Sequence, residues 1–575
     1  MCGIVGFIDK ENKLSKKERE VLVKKMLGLI RHRGGEAEGV ASVNNMTIGH
    51  TRLSIVDVSS QADQPFVDND SVLSFNGEIY NHGEIRKTYL AKKKINSSSD
   101  TATLFELLKT FSIEKVLESI RGMYAFSFLD IKKQLLILAL DKLAIKPLYY
   151  IDSLEYFAWA SEAKAFKVLP NFKYQFEEEC LGEYLTFRFI AGEKTLFKNI
   201  RKILSGEYLI YSLKNHTFEK KRHYQLTKGK TESKKSLEKT IRESVSSHLM
   251  GDNPIGIQLS GGIDSSLVAF FAQNSSPCKL HSFSIGLKDK GWNEFNYSDL
   301  ATKIIGTKHH KIIFSKNDFV RLFSKLTYYL DEPIIHPNTI PMYLLAKRAR
   351  KYAKVLLTGE GADELFYGYN RYFSKNLNDD TDLLLSNSFD KPEIISKILK
   401  SNGQIISKDR KEISNKAKGL NKVDRISFYD VYTYLPHVLL RQDKAGMAAN
   451  VENRVPFLYE PVVEKAFNLE TKSGKLDGKT PLKKIALKYF PADFVLRKKC
   501  GFGLPIAEWL KDEEGLRPLL GLLKDHPLVN KYFIKKEVLN LIKEHLTGIK
   551  DRSSLLFSII SLIVWHEVFI KELPT

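Results

Sequence analysis

The first third of the chain alternates. "SVLSFNGEIYN" (71–81) and "RGMYAFSFLD" (121–130) switch between apolar and polar or small residues, and "QLLILALDK" (134–142) runs apolar between polar ends. A period of two turns one face of a segment inward, so each is predicted to be a strand. Between the strands, 16–30 and 101–110 carry apolar residues at helical spacing. Residues 1–160 therefore read as an α+β layered domain dominated by sheet.

Beyond the lysine-rich stretch "KKRHYQLTKGKTESKKS" (220–236), which reads as a linker, the rhythm changes. "PIGIQLS" (254–260) is a buried-strand run, followed by a glycine pair and the helical "IDSSLVAFFAQ" (263–273). "LHSFSIGL" (280–287) is another strand, 297–305 is helical, and "KVLLTGEGADELF" (354–366) is strand, glycine turn and helix. Strands alternating with helices predict a doubly wound parallel sheet that binds ligands at the carboxyl ends of its strands. Two domains follow: an α+β layered sandwich over 1–215, and an α/β doubly wound sheet with added helices over 236–575. The apolar "LLFSIISLIVW" (555–565) is too short to cross a bilayer and is predicted to be a buried helix.

Composition narrows the class. At 43% hydrophobic and 27% charged, the 575 residues suit a globular protein. Cys2, Cys180, Cys278 and Cys500 form no CxxC pair. That excludes a disulfide framework and a cysteine zinc site, and with no signal-like start it predicts a reducing, cytoplasmic setting. The net charge of +21 would suit nucleic acid or an anionic substrate, but no helix-turn-helix, finger or RNP pattern accompanies it. Nucleic acid and membrane insertion are not expected.

Chemistry concentrates at two glycine turns. In "LSGGIDSS" (259–266), serine and glycines between strand and helix leave backbone N–H groups open to an anion. No lysine follows, so this is not a P-loop, and "GKLDGKT" (474–480) has three residues between its glycines where that motif needs four. An ordinary strand–helix turn explains the glycines equally well. Asp264 is what favours phosphate, because a carboxylate beside a phosphate cradle suits Mg²⁺. "TGEGADE" (358–364) adds Glu360, Asp363 and Glu364. The helix dipole accounts for Asp363 and Glu364 but not for Glu360 between two glycines. Asp363 is expected to share Mg²⁺ with Asp264, and Glu360 to act as a base.

These two turns resemble the PP-loop enzymes that release pyrophosphate from ATP. "MCGIVGF", "GHTRLSIVD" (49–57), "FNGEIYN" (75–81), "SDT" (99–101) and "RGMYAFSFLD" resemble an N-terminal-nucleophile glutaminase. Together, from Met1 to about Leu510, the chain resembles the glutamine-hydrolysing asparagine synthetase family. The resemblance implies that Cys2 is the nucleophile once Met1 is removed. Its own α-amino group, with an ordinary pKa of about 7.7–8.0, would take the thiol proton. Asn76 and the Gly77 N–H would form an oxyanion hole, Arg52 would hold the glutamine α-carboxylate, and Glu78 and Asp100 its ammonium. Taken singly, Asn76–Gly77 also fits a hairpin turn, and Arg52 a surface ion pair.

In the second domain the resemblance assigns Ser260, Gly261, Gly262, Asp264 and Ser265 to the ATP pyrophosphate. Leu259 and Ile285 map to backbone contacts with the nucleotide, Thr358 and Gly359 to the second turn, and Lys479 to the lysine that stabilises charge on the phosphate. Arg454 and Lys499 fall on family motifs without a role. "KHHK" (308–311) is not read as a metal pair, because neighbours in a strand face opposite ways. The implied partners are glutamine, ATP with Mg²⁺, a carboxylate acceptor (aspartate most simply) and a second copy of the chain.

Several positions depart from the family pattern. Gly35 and Glu36 stand in "RGGE" where proline and aspartate are usual, and Leu140 and Ala144 replace arginine and glycine. His336, His437 and Tyr459 replace aspartates, and Asn338 replaces a serine, in segments expected to border the acceptor pocket. Drift in a basic chain explains these. So would another, anionic carboxylate acceptor, such as a sugar uronic acid, favoured by the loss of negative charge. A non-catalytic scaffold is the third reading, opposed by the intact set Cys2, Arg52, Asn76, Asp100, Asp264 and Asp363.

Overall fold

The computed structural model describes residues 2–229, 235–288, 293–373, 379–401, 404–469, 478–498 and 503–572. The opening strand Gly3–Asp9 is buried at every position, because it lies inside a six-stranded antiparallel sheet with both faces covered. Ile4 and Ile8 face a second sheet, while Val5 and Phe7 pack with Val23, Met26 and Leu27 of the helix Lys16–Leu29. Gly6 has no room for a side chain: a Cβ there would come within 1.9 Å of the Trp159 ring.

The first sheet runs, in spatial order, Arg201–Lys202, Tyr149–Asp152, Tyr156–Ala160, Gly3–Asp9, Met46–Arg52, Ala37–Val43. The second, also antiparallel, runs Thr217–Arg222, Glu207–Ser212, Leu135–Leu140, Gly122–Asp130, Ser71–Ile79, Phe66–Val67. Leu129, Leu136, Leu138 and Trp159 fill the space between the sheets. Leu104, Leu107 and Leu108 of the helix Asp100–Thr110 cover the outer face of the second sheet over Phe75 and Phe126. The result is a helix–sheet–sheet–helix sandwich. The segment read as a linker starts inside this fold. Lys220–Arg222 belong to the edge strand Thr217–Arg222, where Lys220 pairs with Glu193 and Arg222 with Glu207. Charged side chains are at home on a sheet edge, which is why composition alone suggested linker.

The second domain holds a five-stranded parallel sheet in the order Lys308–Phe314, His281–Leu287, Ile255–Gln258, Val355–Leu357, Glu452–Arg454. The last strand had no sequence signal: it is three residues long and two of them are charged. On Lys308–Phe314 the adjacent histidines do face opposite ways. His309 bonds Ser282 and Ser284, whereas His310 meets His281 at 2.8 Å. The predicted apolar segment 555–565 lies within the buried helix Ser553–Phe569, which packs on Lys316–Leu330. Among the described residues no helix is long and apolar enough to cross a membrane. Leu53, Ile55, Met123 and Ile145 of the first domain share one apolar cluster with Ile257, Leu259 and Phe457 of the second. The two domains are therefore docked through a continuous core.

Ala144, standing where the family pattern has glycine, sits at φ 57° in the left-handed region. A Cβ there costs about 1–2 kcal/mol. Ala144→Gly is expected to raise the thermal unfolding midpoint, by roughly the 1 kcal/mol scale of the relieved strain; a calorimetric scan of the two proteins checks it.

Candidate active sites

Cys2 enters the first sheet directly ahead of Gly3, whose strand pairs antiparallel with Met46–Arg52. The neighbouring strand delivers Arg52 to the same end. Across the sandwich, Ser71–Ile79 carries Asn76, Gly77 and Glu78, and Asp100 opens the helix capped by Ser99. Cys2, Arg52, Gly77, Glu78 and Asp100 line one small cavity. Asn76–Gly77 is thus mid-strand, not a hairpin turn: Asn76 pairs with Ala125 and Gly77 with Tyr124. A Cβ on Gly77 would stand 2.1 Å from the Met123 carbonyl oxygen, so the strand tolerates only glycine there.

The Cys2 backbone N–H donates to Asn76 Oδ1 at 3.0 Å, which fixes the amide and leaves its buried Nδ2 without a partner. An unpaired buried donor beside a thiol is a costly arrangement unless something comes to accept from it. Burial pushes the Cys2 thiol above its ordinary value, against the pull of the positive amino end and of Arg52. Arg52 is not a surface ion pair, since only 5% of it is exposed. Its Nη1 donates to Ser59 O at 2.9 Å and Asp63 Oδ1 at 2.6 Å, and its Nη2 to the Asp57 carbonyl. The guanidinium expected to hold the glutamine α-carboxylate is therefore engaged by the chain, through a partner, Asp63, whose side chain is 42% exposed.

Glu78 Oε2 is buried without a hydrogen-bond partner. Burial raises its carboxyl well above the usual range; Arg454 opposes this, while Glu452 and Asp100 add to it. Asp100 is pushed up to about 6 by burial, against the N–H groups of Ile79 and Thr101 that donate to it at 2.8 Å. The two buried acids border the same cavity, and Glu78 Oε2 keeps its acceptor capacity unused.

Residues of the second domain stand behind this first pocket. Arg454, fully buried, donates to Glu452 at 2.6 Å and to the His248 carbonyl at 2.8 Å, and its Nη2 lies 3.2 Å from Glu78. Arg33, also fully buried, donates from Nε to the Cys2 carbonyl at 3.0 Å, and its Nη1 pairs with Glu162 at 2.8 Å and Asp443 at 2.9 Å. Sequence reasoning left Arg454 without a role and did not single out Arg33, Asp443 or Glu452, because the pairs Arg33–Asp443 and Glu78–Arg454 are distant in sequence. Lys499 lies outside the described residues.

The second pocket opens at the carboxyl ends of the parallel strands. Leu259, Ser260, Asp264, Ser265, Ile285, Thr358, Gly359, Glu360 and Asp363 line it together. Gly261, at φ 82°, turns the chain into the helix Ile263–Ser275, whose N-cap is Gly262. Ser260 Oγ and Ser265 Oγ meet at 3.0 Å across the turn. Lys479, only 6% exposed, bridges the two turns: its ammonium pairs with Asp264 and, at 2.7 Å, with Asp363. Burial works against that charge, but Asp264 and Asp363 outweigh it and raise the ammonium above its ordinary value. Two carboxylates converging on one cation at a glycine turn are an oxygen-only donor set that fits Mg²⁺. Burial raises the Glu360 carboxyl, with Arg441 opposing from 3.5 Å and Asp363 adding. Arg441 also donates to Asn338 Oδ1 at 2.9 Å, so Glu360, Arg441 and Asn338 form one wall.

The departures do not all gather at this wall, as the sequence reading expected. Asn338 lines the pocket. His336 sits behind it against Tyr434, Phe389 and His437, with ring centres 5.6–5.9 Å apart. Tyr459 packs on Tyr80 and His248 between the domains, and His437 lines a separate cavity. Glu36 ties the domains by pairing with Lys354 at 2.8 Å. Elsewhere His526, His566 and Glu567 cluster. There His526 Nδ1 accepts from the Leu528 N–H, so Nε2 carries the proton towards Glu567, which also pairs with Lys571. That arrangement does not suit a metal.

A family model described as asparagine synthase matches residues 236–567, and one described as a glutamine amidotransferase domain matches residues 1–224. The chain is 30% identical to asparagine synthetase [glutamine-hydrolyzing] 1 of Bacillus subtilis (strain 168), over 100% of this chain and 97% of that protein. It is 28% identical to asparagine synthetase B [glutamine-hydrolyzing] of Escherichia coli (strain K12), over 87% of this chain and 81% of that one. With both domain models matched in this order and relatives aligned along its length, the chain belongs to the glutamine-hydrolysing asparagine synthetase family of ligases.

Proposed function

We propose that this chain transfers the amide nitrogen of glutamine to the β-carboxylate of aspartate, activated by ATP as an acyl-adenylate. The observation that carries the reading is the orphaned Asn76 Nδ2 beside Cys2, which lines one pocket with Arg52, Gly77, Glu78 and Asp100. With Met1 removed, the amine of Cys2 takes the place of the N–H that now reaches Asn76 Oδ1 and accepts the thiol proton. Sγ then attacks the glutamine amide carbon. Asn76 Nδ2 and the Gly77 N–H stabilise the oxyanion, ammonia leaves, and water releases glutamate from the thioester. Arg52 holds the substrate carboxylate, exchanging Asp63 for it, and Glu78 and Asp100 hold its ammonium.

In the second pocket the Ser260–Ser265 turn receives the ATP phosphates, and Leu259 and Ile285 the nucleoside. Asp264 and Asp363 would hold Mg²⁺, which when bound would supply charge neutralisation at the phosphates. Lys479 leaves its carboxylates for the phosphate oxygens as charge builds on them. The acceptor carboxylate, placed by Arg441 and Asn338, attacks the α-phosphorus and pyrophosphate leaves. Ammonia then attacks the adenylate carbonyl, Glu360 takes the surplus proton, and AMP departs with the amide formed. A carboxylate needs adenylation because it is a poor electrophile and hydroxide a poor leaving group. Aspartate is favoured over an anionic sugar acid because, of the four departures offered for that alternative, only Asn338 borders the pocket.

Three outcomes test the reading. Cys2→Ala abolishes glutamate release but keeps synthesis from free ammonia, and Asn76→Ala lowers the glutaminase kcat by about 10²–10³; unchanged glutamate release in Cys2→Ala overturns the assignment. The Asp100 carboxyl, pushed up to about 6, must be ionised to hold an ammonium. The KM for glutamine should therefore rise as pH falls through about 6, and the inflection should vanish in Asp100→Asn. Aspartate-dependent exchange of pyrophosphate into ATP should fall at least a hundredfold in Lys479→Met. Absence of exchange with aspartate in the unaltered protein, alongside exchange with another carboxylate, replaces the acceptor.

A further inference from the structure

A cavity of about 260 Å³ between the domains belongs to neither active site; it matches the nucleotide pocket, at about 240 Å³, and exceeds the one beside Cys2, at about 30 Å³. Lys146, Tyr149 and Lys202 line the interdomain cavity from the first domain, and Asp409, Tyr432 and His437 from the second. Domain interfaces are where small-molecule sites commonly form.

Two of its charges are unspent. Lys202 Nζ donates to the Ile190 carbonyl at 3.0 Å, and among the described residues no carboxylate lies within ion-pair distance of it. Burial lowers its ammonium while Glu332, Glu183 and Asp409 act on it from a distance. Asp409 likewise has no ion-pair partner among the described residues; burial raises its carboxyl, as do Glu183, Glu193 and Glu412, and Lys202 opposes them. Lys202 and Asp409 therefore line one cavity without an ion pair between them. A molecule with a carboxylate at one end and an ammonium nearby would join them.

Two further groups face the same space. Lys146, 1% exposed, has no hydrogen-bond partner for Nζ, and its nearest carboxylate is Asp443 at 3.6 Å. His437 presents Nδ1 to Glu332 at 3.4 Å and leaves its buried Nε2 unpartnered. With the ring proton directed at Glu332, Nε2 is an acceptor. A buried donor and a buried acceptor, both unmet, match the C=O and NH₂ of a primary amide. A side-chain carboxylate would satisfy Lys146 but offer His437 nothing.

We propose that the interdomain cavity binds an α-amino acid carrying a side-chain amide, with its carboxylate on Lys202, its ammonium on Asp409, and its amide between Lys146 and His437. Tyr149 and Tyr432 supply the apolar walls. Because the groups come from both domains, such a ligand binds only when the domains are docked, and so stabilises docking by mass action. The amide-bearing amino acids include both the nitrogen donor and the product of the proposed reaction, so the site would report on either pool.

The test uses the full chain carrying Arg52→Ala, which disables the glutamine pocket, and equilibrium dialysis with L-asparagine, L-aspartate and succinate. Saturable 1:1 binding of L-asparagine is expected, with L-aspartate at least tenfold weaker and succinate not bound. Lys202→Met and Asp409→Asn should each weaken it at least tenfold, and Arg441→Met should leave it unchanged. Melting points of the unliganded variants within about 3 °C of the parent establish that they are folded, and Asp409→Asn alone decides the matter if Lys202→Met is not. Binding lost in Arg441→Met but kept in Asp409→Asn would place the ligand in the acceptor pocket and overturn the proposal. So would no saturable binding up to about 50 mM. Neither result bears on Cys2 or Lys479.

Discussion

Everything at the first active site depends on one buried guanidinium. Arg33 is wholly removed from water, yet it touches the Cys2 carbonyl, Glu162 and Asp443 at once. A charge so placed persists only when paired and hydrogen-bonded, and removing one partner from such a set costs about 3–5 kcal/mol. The pairing continues from Glu162 through Lys164 to Asp331, and from Asp331 to Lys444 at 2.8 Å. Glu162 and Lys164 belong to the first domain, Asp331 and Lys444 to the second. The domains are locked in register by charges that have no water to fall back on, while the apolar cluster around Ile55 and Ile257 supplies attraction without direction.

This lock makes the first pocket a product of both domains. Arg454, 3.2 Å away, is the largest offset to the burial of Glu78 beside Asp100. Glu452, beside Arg454, is held at about 2, against burial, by the amino end, Arg454 and Lys146. Burial still holds the Glu78 carboxyl well above its usual range, and the counter-charge from the second domain limits that rise.

The helix Lys422–Met447 ties the two chemistries together mechanically. Within one turn, Arg441 reaches Glu360 and Asn338, Asp443 reaches Arg33 behind Cys2, and Lys444 reaches Asp331. A shift of that turn would be felt at both pockets. It also carries His437, whose ring stacks on Phe189 of the first domain and borders the interdomain cavity.

The sequence by itself determined the local elements and the reactive groups. Strands such as Ser71–Ile79 and Gly122–Asp130, and the glycine turns at Gly261 and Gly361, follow from residue type and spacing, because a two-residue period or a left-handed φ is a property of a few neighbours. So do Cys2, Asp264 and Glu360, which are conspicuous where they stand. What only the tertiary structure decided is who meets whom. Arg33 and Asp443 are 410 positions apart in the numbering, Glu78 and Arg454 nearly as far, and no periodicity marks either pair. The strand Glu452–Arg454 is legible only as charge, and is buried because partners from the other domain neutralise it. His437 and Tyr459, grouped by sequence with the acceptor pocket, belong elsewhere for the same reason. Position along a chain fixes backbone habit, but the pairing of buried charges is settled only when the domains close on each other and exclude water.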